Sequence, residues 1–498
     1  MRPASALSEH RLRGWLVAAA VTALAAAVRL PALGRPRALV FDETYYVKDA
    51  WTLLHLGYES TWPKDPNAAF EAGDVGTYLT APSFVVHPQF GKWVIALGEK
   101  LFGAQDPVGW RVSTAVAGIL AVLLLTRIAR RLFRSTALGA LAGTLMAVDG
   151  LAIVHSRTGL LDNILMVLVL AAFGALLVDR DRTAARIEGL TSPPLAASRY
   201  GPAGGLRPWR LAAGVLLGLA LGTKWSAIWY VAAFGLLTVA WDVSARHRAG
   251  VVRWWQGVLL RDVGPAFASL VPVAVVTYIS TWASWFATSG GWERQWAATH
   301  PGEGVTWLPE VLRSWWHYHQ SMWHFHTTLT SGHSYAAHAY NWLIQWRPTS
   351  FYYESPEPAQ AACGADRCAQ AVTSLGNPLI WWLGTLAIIA AVWWVIRHRD
   401  ALAAVALTGV AAGWLPWLLF PERTIFTFYA IVFLPYLILV LVWAVRRSLE
   451  RPTRAKLTAA VATVLLILAV SAFYWPVWTA VTVPFRFWQL HMWLPSWV

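Results

Sequence analysis

Charged residues are scarce in this chain. Asp, Glu, Lys and Arg together make up 13% of its 498 residues, roughly half the ~25% share that soluble globular proteins carry. Apolar residues make up 57%, and they recur in runs of about 18 or more, each long enough to cross the ~30 Å hydrocarbon layer of a bilayer. This composition excludes an ordinary soluble protein of two or three domains and indicates a single membrane body.

The apolar runs predict an all-α polytopic membrane protein with about eleven transmembrane helices. The runs lie near residues 15–33, 109–128, 136–155, 160–178, 211–224, 226–243, 263–286, 378–396, 401–419, 424–445 and 457–476. Gly222-Thr223-Lys224 interrupts one stretch that is too long for a single span, so the chain is expected to turn back there. Since no cleavage site follows the first run, we interpret it as a retained span rather than a signal peptide.

Acidic residues are fewer than basic ones, with 26 Asp and Glu against 40 Lys and Arg and a net charge of +14. In a soluble protein, this excess would raise the question of nucleic-acid binding. Here the basic residues fall mainly in short loops between apolar runs, such as 127–134, 246–261 and 446–456. That pattern predicts cytoplasmic loops and a cytoplasmic amino terminus, and it gives no reason to expect a nucleic-acid partner.

The spans and the charge pattern divide the chain into six segments. These are the N-terminal tail and first span (1–33), a first external loop (34–108), a transmembrane core (109–286), a second external loop (287–377), the C-terminal spans (378–476) and an external tail (477–498). Both loops are too long for simple connectors, and loops of this length usually carry function. The sequence lacks an internal repeat of the kind that two-halved transporters have.

The second external loop contains many Trp and His residues and both cysteines. Trp307, Trp315, Trp316 and Trp323 suggest a helix that lies along the membrane surface. Cys363 and Cys368 are expected to form a small disulfide loop on an oxidising external face, the alternative being two free thiols. The spacing of the histidines at 317, 319, 324, 326, 333 and 338 fits no zinc pattern well, so no metal site is predicted and dependence on a divalent metal is left open.

Two adjacent carboxylates, Asp42 and Glu43, follow the first span directly. Their mutual repulsion would raise one pKa, which suits a base that must take a proton from a hydroxyl near neutral pH. Equally, Asp42 could cap a helix that begins at Glu43, where the helix dipole favours both acids. The two interpretations are compatible, because a cap also fixes a carboxylate in place.

Five basic residues lie inside spans or at their external ends, against the general charge pattern. They are Arg29, Arg111, Arg157, Lys224 and Arg423. An ionisable group within a span costs about 2.5–3.5 kcal/mol at mid-bilayer, so such groups usually face protein or water and serve a function. Each alone could simply extend to the interface. Because all five are predicted to gather toward the external face, they are expected to bind a phosphate together.

Three more residues are candidates for substrate binding. Asp162 lies five residues after Arg157, near a helix start, where its alternative role is an internal ion pair between the third and fourth spans. His87 and Lys92 flank a bend at Pro88, and His87 could instead be an ordinary structural histidine.

Several short motifs occur in a fixed order along the chain. They are Phe41-Asp42-Glu43, His87-Pro88-Gln89-Phe90-Gly91-Lys92, Gly109-Trp110-Arg111, His155-Ser156-Arg157-Thr158-Gly159-Leu160-Leu161-Asp162, Gly222-Thr223-Lys224-Trp225, Trp346-Arg347-Pro348-Thr349-Ser350-Phe351-Tyr352-Tyr353, Arg423-Thr424-Ile425-Phe426 and Met492-Trp493-Leu494-Pro495-Ser496-Trp497. In this order the whole chain resembles the protein O-mannosyltransferases, in particular their actinobacterial branch, within the GT-C class. It departs at Gln89, where the family commonly has proline, which is expected to loosen the bend slightly. The second loop is also too short for the extra β-trefoil domain of eukaryotic relatives.

The resemblance implies an inverting transfer of mannose from a polyprenyl-phosphate carrier to Ser or Thr hydroxyls of exported proteins, at the outer face of the cell membrane. It implies that Asp42 is the base and that Glu43 supports it. It favours Arg111 as the first phosphate ligand, then Arg157, Lys224 and Arg423, with Arg29 bracing the acidic pair. Apart from the bilayer, the partners are the lipid donor and the polypeptide acceptor, and whether the export machinery takes part is left open.

Two alternatives are kept. Another GT-C enzyme, acting on a lipid or a cell-wall glycan, would share the acidic pair and the phosphate site but differ in its acceptor. A transporter or lipid flippase would have symmetric halves and charges at the midplane of the bilayer.

Overall fold

The computed structural model describes residues 4–190, 199–357 and 363–498. Residues 1–3, 191–198 and 358–362, which belong to three of the predicted segments, lie outside this description. The helices in the first half are α1 (Ala4–Arg29), α2 (Glu43–Leu56), α3 (Asn67–Glu71), α4 (Phe90–Phe102), α5 (Pro107–Phe133), α6 (Thr136–Val148), α7 (Gly150–Ser156), α8 (Leu161–Leu190), α9 (Pro208–Leu221) and α10 (Ile228–Arg248).

The second half adds more helices and a small sheet. The helices are α11 (Trp254–Val258), α12 (Gly264–Ser280), α13 (Ala283–Ala287), α14 (Trp296–Thr299), α15 (Glu310–Thr328), α16 (Pro378–His398), α17 (Ala401–Trp414), α18 (Leu434–Ser448), α19 (Arg454–Trp478) and α20 (Phe485–Gln489). The strands are β1 (Thr349–Glu354), β2 (Cys368–Ser374) and β3 (Val483–Pro484), which form an antiparallel sheet in the order β1-β2-β3. The prediction of an all-α protein omitted this sheet, because its strands are short and lie in a long polar loop.

Most predicted spans correspond to long apolar helices. In the part of the chain that the structure describes, eight helices are long and apolar enough to cross a membrane, or nine if α6 and α7, bent by 62°, count as one. The other two predicted spans, 211–224 and 424–445, correspond to α9 and α18, which have 14 and 15 residues. Since about 20 residues are needed to cross the hydrocarbon layer, the predicted count of eleven is not confirmed.

Local signals set where several spans begin. Asp106 precedes α5, and its side chain accepts a hydrogen bond from the backbone N of Val108 at 2.8 Å, with Pro107 as the first helical residue. Asn377 and Asp400 cap α16 and α17 in the same way. Such caps satisfy backbone donors that have no partner inside the helix.

The core surrounds α8 and α18. Every residue from Leu434 to Trp443 in α18 is buried, and α18 packs against α16 and α17. Likewise, α8 packs against α5, α9 and α10. A helix that is apolar on all sides belongs in the interior, so these two helices hold the more exposed spans together.

The segment predicted as the first external loop is helical in three places. It contains α2, α3 and α4, of which α4 has one buried face and leaves Leu97, Leu101 and Phe102 exposed. This is the pattern of a helix that lies along a membrane surface. The sequence offered α2 as the helix that Asp42 could cap. It missed α3 and α4, which have 5 and 13 residues, too few for a strong periodic signal.

The second long loop contains the expected aromatic helix, α15. Trp316 and Trp323 are exposed on it, whereas Trp315 packs against the rings of Trp282 and Phe286, and Trp307 precedes the helix. Beyond α15, Cys363 and Cys368 form a disulfide that adjoins the start of β2.

Candidate active site

A cavity of about 470 Å³ lies where interruptions between helices meet. Its polar lining comes from the segment before α4, the first turn of α8, the break between α9 and α10, the helix α15 and the connection from α17 to α18. The residues concerned are His87, Asp162, Lys224, His319, His326, Arg423 and Tyr429. Irregular backbone at membrane depth is tolerated where it lines a cavity or is covered by protein, which explains why these groups lie at helix ends.

The remainder of the cavity is apolar. Ile228, Trp229, Trp417 and Phe420 are among its lining residues, and Ile228 and Phe420 are also exposed on the surface of the molecule. The cavity therefore combines a cationic end with an apolar end that reaches the lipid-facing surface. This arrangement fits a ligand with an anionic head and a hydrocarbon chain.

Asp42 lies beside the polar end of this cavity, at the N-cap position of α2. Its side chain makes no capping hydrogen bond, so the carboxylate is left for other partners, and Tyr46 Oη donates to Asp42 Oδ2 at 3.4 Å. Burial raises the pKa of Asp42 to about 6; the charge of Lys224 opposes the rise, and that of Asp162 adds to it. A carboxyl group with this pKa is ionised at neutral pH and can accept a proton.

The residue before Asp42 fixes the backbone at this point. Phe41 has a positive φ of 50°, which is uncommon for a residue with a large side chain. Its ring stacks on Phe351 of β1 with centroids 4.9 Å apart and meets Phe428 edge to face. Packing on the small sheet therefore holds the turn that presents Asp42.

Glu43 does not face the cavity. It is fully buried, and its carboxylate accepts hydrogen bonds from the guanidinium of Arg111 and from the backbone N–H groups of Val40 and Gly159, at 2.7–2.9 Å. With its oxygens satisfied, Glu43 has no lone pair directed at a substrate. Glu43 therefore anchors the start of α2, and its predicted part in the reaction, as support for Asp42, stays a prediction.

Arg111, the first choice for a phosphate ligand, is also engaged internally. Its side chain is 0% exposed and donates to Glu43 and to the carbonyl oxygens of Leu33, Pro36 and Ala38. Binding a phosphate would require breaking these bonds around a buried charge. Arg111 fixes the chain between α1 and α2, and its role as a phosphate ligand stays a prediction.

Arg29 and Arg157 are also engaged internally, although Arg157 Nε has no hydrogen-bond partner among the described residues; their predicted roles stay predictions. Arg29 is fully buried and donates to the Ser156 hydroxyl and to the carbonyls of Met146 and Ala147, with no contact to the acidic pair that it was expected to brace. Arg157 donates to three carbonyls at the end of α1, those of Arg29, Pro31 and Ala32. Both residues satisfy backbone groups at helix ends.

Lys92 does not reach the cavity either. Its ammonium is buried, donates to Glu59 and lies 3.8 Å from Asp49. Gln89, at the position where the resemblance leads one to expect proline, donates to Glu59 at 2.7 Å and accepts from Ser284 at 2.7 Å. The expected loosening of the bend is therefore offset by two side-chain hydrogen bonds.

Lys224 and Asp162 form an ion pair at the cavity wall. Lys224 Nζ lies 2.8 Å from Asp162 Oδ2 and faces the rings of Tyr429 and Tyr46, at 5.2 Å and 5.9 Å from their centroids. The pair joins α8 to the break between α9 and α10. The alternative considered from the sequence was an ion pair of Asp162 that would join the third and fourth predicted spans. An ammonium group has three donors, so Lys224 can hold Asp162 and bind a ligand as well.

Arg423 and His326 form a second cationic element. Arg423 Nε donates to the His326 carbonyl at 2.9 Å, and Nη2 lies 3.2 Å from His326 Nδ1. His326 Nε2 lies 2.7 Å from the carbonyl of Val86, so Nε2 carries the hydrogen and Nδ1 accepts from Arg423. Burial, with Arg423 adding to it, lowers the pKa of His326 to about 4. Arg423 Nη1 is buried with no hydrogen-bond partner among the described residues.

His87 lines the cavity next to His326, with the two rings stacked at 5.2 Å. Burial, with the charge of Lys224 next, lowers the pKa of His87 well below its ordinary value. A neutral ring next to two cations can donate to or accept from a ligand without adding charge.

Sequence reasoning missed several residues of the site. His326 and His319 belong to the histidine-rich loop, where only metal binding was considered. His319 Nε2 lies 2.6 Å from Tyr278 Oη, which accepts from Trp225 Nε1 at 3.0 Å. The available signal was the helical spacing of His319 and His326, seven residues apart on one face of α15. The described residues contain no group of three His, Cys, Asp or Glu side chains placed to hold a metal ion.

Two family models match the chain. One describes the C-terminal four-transmembrane region of protein O-mannosyltransferases and matches residues 311–497, and the other describes dolichyl-phosphate-mannose–protein mannosyltransferases and matches residues 86–184. The polyprenol-phosphate-mannose–protein mannosyltransferase of Mycobacterium tuberculosis H37Rv is 38% identical over 98% of this chain and 92% of its own length. The chain belongs to the protein O-mannosyltransferase family.

Other relatives agree with this family assignment. The mannosyltransferase of the same name from Mycolicibacterium smegmatis MKD8 is 37% identical over 98% of this chain and 93% of its own length. That of Corynebacterium glutamicum is 35% identical over 92% of this chain and 88% of its own length. Their actinobacterial origin confirms the branch to which the sequence resemblance pointed.

Solved structures confirm the fold. The Saccharomyces cerevisiae protein O-mannosyltransferase Pmt1-Pmt2 complex bound to the sugar donor matches with a TM-score of 0.74 at 15% identity, over 98% of this chain and 93% of the matched chain. ArnT from Cupriavidus metallidurans bound to undecaprenyl phosphate matches with a TM-score of 0.50 at 17% identity, over 93% of this chain and 64% of the matched chain. These likenesses confirm the predicted GT-C type fold, and the relatives of 35–38% identity make the chain a multi-pass membrane enzyme, as predicted.

Proposed function

We propose that this protein transfers mannose from a polyprenyl-phosphate carrier to Ser or Thr hydroxyls of exported polypeptides, with inversion at the anomeric carbon. The names of its relatives, which cover nearly the whole chain, support the donor and the kind of acceptor. One observation of the site carries the proposal: an apolar cavity ends in two cations beside a carboxyl group with a raised pKa. The apolar part of the cavity suits the polyprenyl chain, the two cations suit the phosphate, and the carboxyl group suits the proton of the acceptor hydroxyl.

Arg423 and Lys224 are the proposed ligands of the donor phosphate, and the apolar end of the cavity receives the start of the polyprenyl chain. Arg423 is favoured because it lines the cavity and its Nη1 is buried without a partner among the described residues, so a phosphate oxygen would satisfy a donor that otherwise costs about 1–3 kcal/mol. Lys224 keeps free donors next to Asp162. His87 lines the cavity, with its ring 5.2 Å from that of His326 and 6.1 Å from that of Tyr46, and is proposed to hold the phosphate or the sugar.

Asp42 is the proposed base. The acceptor oxygen attacks the anomeric carbon and passes its proton to Asp42, while the bond from that carbon to the phosphate oxygen breaks and its electron pair stays on the phosphate. Arg423 and Lys224 would stabilise the charge that develops there. Because phosphate is a good leaving group when neutralised by cations, a single carboxylate is sufficient and no general acid is required.

The site is proposed to open at the outer face of the cell membrane. It lies at the end of α5 opposite Arg130 and Arg131, which belong to the last turn of that helix. Basic residues gather on the cytoplasmic side of membrane proteins, so Asp42 belongs to the opposite side. A polypeptide emerging from the export machinery would meet this face as an extended chain.

The proposal is tested by incubating the purified protein with radiolabelled polyprenyl-phosphate mannose and a threonine-rich peptide. Wild type is expected to label the peptide, and Asp42→Asn to lower kcat at least 100-fold while donor binding and thermal stability persist. Asp65→Asn is the matched control, because Asp65 is an exposed acid in the same loop. Absence of label on the peptide, or activity of Asp42→Asn within about tenfold of wild type, a difference of ~1.4 kcal/mol, would contradict it.

A further inference from the structure

Tyr46 lies one helical turn after Asp42 on α2, and its side chain is buried, with 9% of its surface exposed. The backbone N of Tyr46 donates to the carbonyl of Asp42 at 3.1 Å, so the two residues belong to the same turn. Residues four positions apart share one face of a helix. The proposed function uses Asp42 and gives no role to Tyr46.

The hydroxyl of Tyr46 contacts the proposed base. Tyr46 Oη donates to Asp42 Oδ2 at 3.4 Å, and no other described residue donates a hydrogen bond to this carboxylate. The distance is longer than the ~2.7–2.8 Å of most O–H···O bonds. Catalytic hydrogen bonds are often long before the substrate binds and shorten in the complex.

The direction of this hydrogen bond is fixed. Burial, with the charge of Asp42 next, raises the pKa of Tyr46 well above its ordinary value, so the phenol keeps its proton and can only donate. A donor at Oδ2 favours the ionised carboxylate and lowers the pKa of Asp42, against the rise that burial causes. With Oδ2 engaged, Oδ1 is the oxygen left for the acceptor.

The ring of Tyr46 faces the proposed phosphate site. Lys224 Nζ lies 5.9 Å from its centroid, and the ring of His87 lies 6.1 Å away. A cation within about 6 Å of an aromatic face is attracted to it. Tyr46 therefore contacts the proposed base with its hydroxyl and the proposed donor-binding groups with its ring.

We infer that Tyr46 is a positioning residue of the transfer reaction, whose hydroxyl holds Oδ2 of Asp42 so that Oδ1 receives the proton of the acceptor hydroxyl. The inference rests on the proposed function and deepens it. The alternative is that Tyr46 only fills the core, because a buried phenol usually finds a hydrogen-bond partner. The two roles differ in what loss of the hydroxyl alone does to the reaction.

Tyr46→Phe removes the hydroxyl and keeps the ring. With radiolabelled polyprenyl-phosphate mannose and the threonine-rich peptide, kcat is expected to fall roughly tenfold or more, because the base is no longer held. Donor KM should stay within about twofold of wild type, since Lys224 and the ring remain.

The pH profile of kcat/KM, recorded between about pH 5 and 8, separates positioning from folding. In Tyr46→Phe the pH below which kcat/KM falls should rise by about half a unit, because the ionised carboxylate loses its donor. A smaller folded fraction lowers the plateau of the profile but does not move this pH. The other charged or titratable groups around the hydrogen bond are unchanged in the variant; they are Asp162, Lys224, Tyr429 and His87.

Tyr45→Phe is the matched control, because Tyr45 is the neighbouring tyrosine on α2 and is 64% exposed. It should keep the kcat and the pH profile of wild type. A second test is a double-mutant cycle with Asp42→Asn. Once Asp42 is replaced, Tyr46→Phe should lower the residual kcat by less than about twofold, because Tyr46 acts through Asp42.

Two results would overturn the inference and leave the proposed function intact. One is a Tyr46→Phe protein with kcat within about twofold of wild type and an unshifted pH profile. The other is a tenfold loss of kcat that persists in the Asp42→Asn protein. A wild-type protein that labels no peptide would instead overturn the proposed function and this inference together.

Discussion

The carboxylate of Glu43 accepts two hydrogen bonds of 2.8 Å from the guanidinium of Arg111, and both side chains are buried. Glu43 is thus occupied by the cation that was expected to bind phosphate. Asp42, one residue earlier, keeps a carboxylate without a capping bond. Of the two adjacent acids, Glu43 anchors the start of α2 and Asp42 is the proposed base.

Replacing Arg111 by Ala is expected to destabilise the protein rather than to weaken donor binding selectively. The substitution leaves Glu43 charged and buried without its partner, which costs about 3–5 kcal/mol. Thermal unfolding in detergent should show a clearly lower midpoint. Arg367→Ala serves as a control at an exposed arginine. A stable Arg111→Ala protein with a raised donor KM would support the predicted phosphate role of Arg111 and contradict a purely structural one.

Replacing Arg423 by Gln is expected to raise KM for the lipid donor at least tenfold, because the unpartnered Nη1 and its charge are lost. Arg423→Lys should recover part of the loss, since an ammonium supplies charge without the planar fork. The acceptor KM should stay unchanged. Equal effects on the KM values of donor and acceptor would show that Arg423 acts through folding.

Activity is expected to fall below pH 6. A base must be ionised, and the pKa of Asp42 is raised to about 6, chiefly by burial; below that value, kcat/KM should drop about tenfold per pH unit, and above it level off. Lys224, Asp162 and Tyr46 are the charged or titratable groups that influence this carboxyl. Thermal stability recorded at each pH separates loss of ionisation from unfolding. A flat profile between pH 5 and 8 would exclude Asp42 as the base.

The Lys224–Asp162 pair should show strong coupling. Lys224→Met leaves Asp162 buried and unpaired, and Asp162→Asn leaves Lys224 in the same state, so each single variant should be less stable than the double one. The double variant is nevertheless expected to use the donor poorly, because it lacks the Lys224 cation. Donor KM and the unfolding midpoint are measured for wild type, the two single variants and the double variant, which together form a double-mutant cycle. Additive losses of stability would contradict direct pairing.

Gln89 should contribute to stability. Gln89→Leu removes the donor to Glu59 and the acceptor for Ser284, and each buried polar group left alone costs about 1–3 kcal/mol. The unfolding midpoint should fall while donor KM changes little. Exposed Gln489, changed to Leu, is the control. An unchanged midpoint would mean that water replaces both contacts.

Much of the fold could be predicted because span length and hydropathy are local properties. The runs at 109–128 and 378–396 correspond to α5 and α16, and Gly222-Thr223-Lys224 does interrupt the helix. The sheet could not be predicted, because β1 and β2 are specified by contacts with Phe41 and with the tail strand β3, which are distant in sequence. The predicted count of eleven spans is not confirmed, because α9 and α18 are shorter than a membrane span requires.

The candidate site was predicted in part. Asp42, Lys224, Asp162, His87 and Arg423 lie together, as expected of substrate-contacting residues, and their roles stay predictions. Arg29, Arg111, Arg157 and Lys92 do not line the cavity. The sequence could not anticipate this, because a charged residue near a span end has two uses, binding a ligand or satisfying carbonyls at a helix end. Only the three-dimensional partners separate these uses. His326 was overlooked because a histidine-rich helix was considered only for metal.

Glu43 also accepts from the backbone N of Gly159, three residues before Asp162, while it follows Asp42 directly. A single carboxylate therefore sets the spacing between the proposed base and the residue that holds Lys224. Any shift of α8 relative to α2 would move the base and the cation together or break the Glu43 contact. Glu43, which does not line the cavity, therefore fixes where the proposed base stands relative to Lys224.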